Sequence, residues 1–168
     1  MRKKIDNVAI HEAGHAVAHI LTGIPFEYVT IKSDENKDEQ GIRTLGQVSA
    51  NYSVSDDEWG KFSFLNPEEF GNFFKFDFIK LSGFVAEGIY RGRSNFKGAI
   101  TDFRQCVGAS LINLPERLSS KYQSFILEYT NQVLQNKTNW SHVTAVAIAI
   151  VDEETLSYEK VEEVIKKN

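Results

Sequence analysis

The segment His11-Glu12-Ala13-Gly14-His15 constrains this chain more than any other. Helical residues four apart stand one above the other on the same face. On a helix, His11 and His15 therefore aim two imidazoles at one point, within reach of one metal ion. Glu12 follows His11 by about 100° of helical rotation. It sits beside that point, where a carboxylate can take a proton from an attacking water. This is the zinc-hydrolase arrangement. Composition alone produces the pattern in roughly one chain in a few hundred of this length, so the reading needs a helical context.

That context is present. The spacing predicts a helix from about Lys4 to Thr22, with Asp6 or Asn7 at its start and Gly23 as its stop. Ile5, Val8, Ala9, Ala13, Ala16, Val17, Ile20 and Leu21 cover most of its circumference, so the helix is expected to be buried. Buried polar groups without partners cost several kcal/mol, of the order of 2–7. A metal and its water would satisfy the two histidines and the glutamate.

The chain of 168 residues is expected to form one domain (1–168), long enough for a real core. A net charge of −4 argues against a nucleic-acid or anionic-membrane partner. The single cysteine, Cys106, forbids an internal disulfide and fits a reducing compartment. No apolar run is long enough to span a bilayer, and the N-terminal apolar stretch is too interrupted for a signal peptide. The expected location is the cytoplasm.

The expected class is mainly α with a small antiparallel β-hairpin (α+β). Residues 26–31 and 42–52 read as the two strands, joined by a charged loop at 33–41. Residues 51–65 carry no clear period. Asn66-Pro67-Glu68-Glu69 is a helix start, with Asn as cap and Pro at the first position. Phe74-Lys75-Phe76-Asp77-Phe78 alternates like a strand, but a helical period holds from Phe70 to Ile89 and takes precedence. After a loop at 92–98, helices are predicted over 101–114 and 115–135. The latter buries Leu118, Tyr122, Phe125, Ile126, Tyr129 and Val133. Asn139 is read as the cap of a helix through Val151, and a short helix follows Ser157.

Two histidines leave zinc short of a third protein ligand. His19 is a poor candidate, because it lies about 12 Å along the axis from His11 by the helical rise. It is expected to pack or to support the ligands. His142 stands alone, with no acidic neighbour.

Further blocks carry a resemblance. His11-Glu12-Ala13-Gly14-His15-Ala16, Tyr28-Val29-Thr30-Ile31 with Leu45-Gly46-Gln47-Val48, Leu81-Ser82-Gly83-Phe84-Val85-Ala86-Glu87, Gly98-Ala99-Ile100-Thr101-Asp102, and Glu153-Glu154-Thr155-Leu156 follow one another in order. Together they resemble the protease domain of the FtsH family of ATP-dependent zinc proteases. The resemblance implies the fold of that helical zincin domain and a third zinc ligand at Asp102. Glu87 is the rival ligand, because a glutamate on a later helix serves other zincins. Ser82, Phe84 and Gly88 stand where the family has glycine, arginine and usually glutamate.

The ATPase module and membrane anchor that precede the family's protease domain have no counterpart in this sequence. The expectation is therefore a zinc metalloendopeptidase for unfolded polypeptides or peptides, with Glu12 as general base. The segment Arg43 to Ala50 is expected to offer an edge to an extended substrate. The alternatives are a zinc-containing pseudo-protease or substrate-binding module serving a separate ATPase, and a zinc hydrolase of another kind that cuts a repressor. Substrate identity and oligomeric state stay open at this point.

Overall fold

A computed structural model describes residues 5–32, 46–49, 62–93 and 100–168. The loop at 33–41, most of the expected second strand, residues 51–61 and the block Gly98-Ala99 lie outside the described residues. The described chain is mainly helical with a small antiparallel sheet, as the sequence predicts.

Helix α1 (Asn7–Thr22) begins where the Asp6 side chain accepts from the Ala9 amide at 2.8 Å. It ends at Gly23, whose φ of 69° is the left-handed conformation that glycine adopts freely. Ile10 and Val17 are fully buried. Each such side chain contributes about 1.5–3 kcal/mol relative to exposure.

Helix α2 (Pro67–Arg91) starts at Asn66, whose side chain accepts from the Glu68 and Glu69 amides while its Nδ2 donates to Glu69. The alternating phenylalanine stretch lies within this helix, so the longer period prevails over the local one. The packing of α1 on α2 is the most extensive contact between elements. The two helices cross closely at Gly14, where an added Cβ would lie 2.6 Å from the Ser82 carbonyl oxygen and 2.7 Å from the Ala86 Cβ. Ser82 keeps its hydroxyl out of the crossing by donating to the Phe78 carbonyl at 2.7 Å.

The remaining helices are α3 (Ile100–Asn113), α4 (Glu116–Gln135), α5 (Lys137–Glu153) and α6 (Tyr158–Lys166). The break between α4 and α5 is a single residue. Asn136, not Asn139, caps α5 by accepting from the Thr138 amide at 3.0 Å. Asn139 turns back instead and donates to the Val133 carbonyl. Helix α4 buries Ser119, Tyr122, Ile126, Thr130 and Leu134, while Leu118, Phe125 and Tyr129 remain exposed. The expected apolar face is therefore rotated. Ser119 and Thr130 tolerate burial because each hydroxyl has a partner, Ser110 in one case and the Ile126 carbonyl in the other.

Among the described residues the sheet has three strands where a hairpin of two was predicted. Strand β1 (Tyr28–Thr30) lies between β2 (Gln47–Ser49) and β3 (Thr155–Ser157), antiparallel to both. Val29 faces Val48 on one side and Leu156 on the other. The third strand is made by Glu154, whose φ of 63° turns the chain left-handed at the end of α5. That conformation costs about 1–2 kcal/mol in a residue with a side chain. The Glu154 carbonyl in turn accepts from the Ile31 amide and the Thr30 hydroxyl, both at 3.0 Å.

One hydrophobic cluster joins α1, β1, the C-terminal half of α2, α5, β3 and α6. A second joins the N-terminal half of α2 to α3 and α4. The histidine motif lies on the face of α1 that meets α2. No described helix is long and apolar enough to cross a membrane.

Candidate metal centre

Helix α1 carries His11 and His15 one turn apart, with their Nε2 atoms 3.1 Å from each other. The two rings meet edge to face at 75°, so both nitrogens converge on one point. Asp102 comes from the first turn of α3. Its Oδ2 lies 3.4 Å from the His11 Nε2 and 3.5 Å from the His15 Nε2. Among the described residues, these three side chains form the group able to hold a metal ion. A tetrahedral ion with ligand distances near 2.0–2.2 Å spaces its ligands about 3.3–3.6 Å apart. The triangle of donor atoms has almost that size already.

Supporting contacts orient the rings. The His15 Nδ1 donates to the Ile79 carbonyl of α2 at 2.7 Å, which leaves its Nε2 lone pair facing the triangle. On the far side of His11, the Glu87 carboxylate stands 3.8 Å from Nδ1 and is held by Arg91 at 2.6 Å. The structure thus sets Glu87 behind the first histidine, away from the triangle where Asp102 sits.

Space for an ion is made by Gly83 of α2. A Cβ there would lie 2.7 Å from the His11 Nε2 and closer still to that of His15. Any side chain at this position would fill the cradle. Gly46, at the start of β2, plays a similar part for Glu12: its Cβ would lie 2.7 Å from Oε1. The absence of a side chain there lets the strand pass directly over the carboxylate.

The acids and bases of the site shift one another. Burial alone would lower the basicity of His11. Hydrogen bonds to Asp102 and Glu87 and the charge of Glu12 reverse this and raise its pKa to about 10. Burial opposes ionisation of Asp102 too, but its bonds with His11 and His15 hold it far below the usual carboxylate range. Glu12 is 6% exposed, and burial raises its pKa against the pull of both histidines. A carboxylate so raised is better matched to accepting a proton near neutrality.

His19 belongs to the core, as its distance along the helix implies. Its Nδ1 donates to the Ile24 carbonyl at 2.9 Å and its ring packs on Phe26, while burial lowers its pKa to about 4. The Ile79 carbonyl and the bare Gly83 position contribute to the site beyond the residues that the sequence motif singles out. A glycine in the middle of a long helix is the one local sign of such a close approach. A scan against protein-family models finds no match, and no curated protein matches the chain.

Proposed function

We propose that this protein is a zinc-dependent metallopeptidase that hydrolyses peptide bonds of unfolded proteins or peptides. The observation that carries the reading is the triangle of His11, His15 and Asp102 donors, sized for a tetrahedral ion, with the buried Glu12 next to it. Three protein ligands leave a fourth position open, as in catalytic rather than structural zinc sites. The ordered blocks that resemble the FtsH peptidase domain support the same conclusion from the sequence.

His11, His15 and Asp102 would hold the ion. When bound, zinc supplies Lewis acidity, acidifying a water and polarising a carbonyl. Glu12 accepts the proton of the attacking water and delivers it to the departing amine. Ile79 and Glu87 keep the two imidazoles in place during these transfers. The outer edge of β2, beside Gly46, is the surface along which an extended chain would pair. The same reading expects a cytoplasmic protein without a nucleic-acid partner.

Metal content and peptidase activity of the purified chain, with and without Glu12→Gln, test the proposal. The variant is expected to keep its fold and about one zinc per chain and to lose activity by a factor of about 10²–10⁴. Undiminished hydrolysis by the variant, or a wild-type chain that retains no zinc, would contradict it.

A further inference from the structure

One turn of α2 contributes three features to the metal centre without providing a ligand. Ile79 receives the His15 Nδ1 proton, Gly83 leaves the cradle open, and Lys80 lies between them in sequence. The Lys80 Nζ is 4.0 Å from Asp102 Oδ1, whereas Asp102 Oδ2 faces the two histidines. The two oxygens of one carboxylate are thus directed to different neighbours, Oδ2 to the histidines and Oδ1 to the Lys80 ammonium.

We propose that Lys80 is a positioning residue that makes Asp102 a one-oxygen ligand and so keeps the fourth position of the ion open. The proposal rests on the metallopeptidase reading above. A carboxylate whose outer oxygen is unengaged can swing and grip an ion with both oxygens. That would add a fifth donor beside the water and crowd the place from which it attacks. The ammonium opposes the swing by attracting Oδ1. Lys80 is about one-third exposed, so the ion pair adds little to stability. Its effect is on geometry.

Cobalt(II) substitution reads that geometry directly, because four-coordinate cobalt absorbs visible light severalfold more strongly than five-coordinate cobalt. The spectrum of the wild-type chain titrated with cobalt(II) is compared with those of Lys80→Met and Lys80→Arg. The expected result is an intense band in wild type, a severalfold weaker one in Lys80→Met at equal cobalt content, and recovery in Lys80→Arg. An unchanged band in Lys80→Met overturns the inference, as does a Lys80→Arg band as weak as that of Lys80→Met. Loss of cobalt from Lys80→Met alone overturns it too, because Lys80 would then govern affinity instead of denticity. A wild-type chain that takes up no cobalt overturns the metal reading itself, which separates the two failures.

Discussion

His11 is the residue through which the proposed metal binding should report itself. In the metal-free chain its proton is held up to a pKa of about 10, because Asp102, Glu87 and Glu12 outweigh the effect of burial. The sign follows from the ordinary value of 6.5: the stabilisation this gives the metal-free fold is complete below 6.5 and lost as pH rises through about 10. A metal must displace that proton. Apparent zinc affinity should therefore climb about tenfold per pH unit across neutrality, with about one proton released per ion. An unperturbed histidine would give a plateau above 6.5 instead. Competition titrations between about pH 6.5 and 8.5 distinguish the two, and a flat profile would remove the proposed coupling. Asp77 has the same sign of pH dependence at lower pH, as a penalty incurred where His11 is a gain lost. It is fully buried in α2, its Oδ2 accepts from the Tyr122 hydroxyl at 2.8 Å, and the Cys106 thiol faces the same carboxylate. Burial raises its pKa from 3.8 to about 7, so folding favours the protonated form and stability falls as pH rises across that interval. Asp77→Asn should be neutral near pH 4 and stabilising near pH 8, by on the order of a few kcal/mol. Denaturation at the two pH values checks this, and a gap that does not widen with pH counts against it.

Between elements, the decisive contact is the crossing of α1 and α2, which depends on two glycines of different kinds. At Gly14 an added Cβ meets the Ser82 backbone and the Ala86 Cβ, neither of which can swing aside. At Gly83 it meets the tips of two histidine rings, which can. Gly14→Ala should force the helices apart and cost about 1–3 kcal/mol of stability. Gly83→Ala should lose less stability but weaken zinc binding by about tenfold or more, since the rings give way and leave the triangle. Thermal melts with and without zinc separate the variants, and wild-type zinc affinity in Gly83→Ala would refute the cradle. Helix boundaries were legible beforehand because caps act over a few residues: Asp6 and Gly23 for α1, Asn66 for α2, Ser157 for α6. The buried face of α4 was not. Phe125 and Tyr129 fit an apolar stripe as well as Ser119 and Thr130 fit a polar one, and only the neighbours α2 and α3 decide which is covered.

For the molecule as a whole, the sheet limits what the proposed enzyme can accept. Among the described residues its strands are three residues each, and β2 is an outer strand whose approach passes over Glu12 at Gly46. Only main chain free to pair can lie along that edge. An unfolded, reduced protein should therefore be cleaved without ATP, while its stable folded form should be nearly inert. An assay of both forms with and without ATP tests this, and cleavage of the folded form at a comparable rate would refute it. By itself the sequence determined what depends on near neighbours: the capped helices, and the four-residue spacing that stacks His11 on His15 with Glu12 beside them. Asp102 was legible solely through a resemblance, because nothing local distinguishes it from the other carboxylates. Tertiary structure alone decided that Thr155-Leu156-Ser157 would become a strand, that Glu87 would stand behind His11, that Gly83 would face the two histidines and that Lys80 would face Asp102. Those outcomes depend on how closely α1, α2 and α3 cross, and a separation set between residues far apart in the chain leaves no period in the sequence to read.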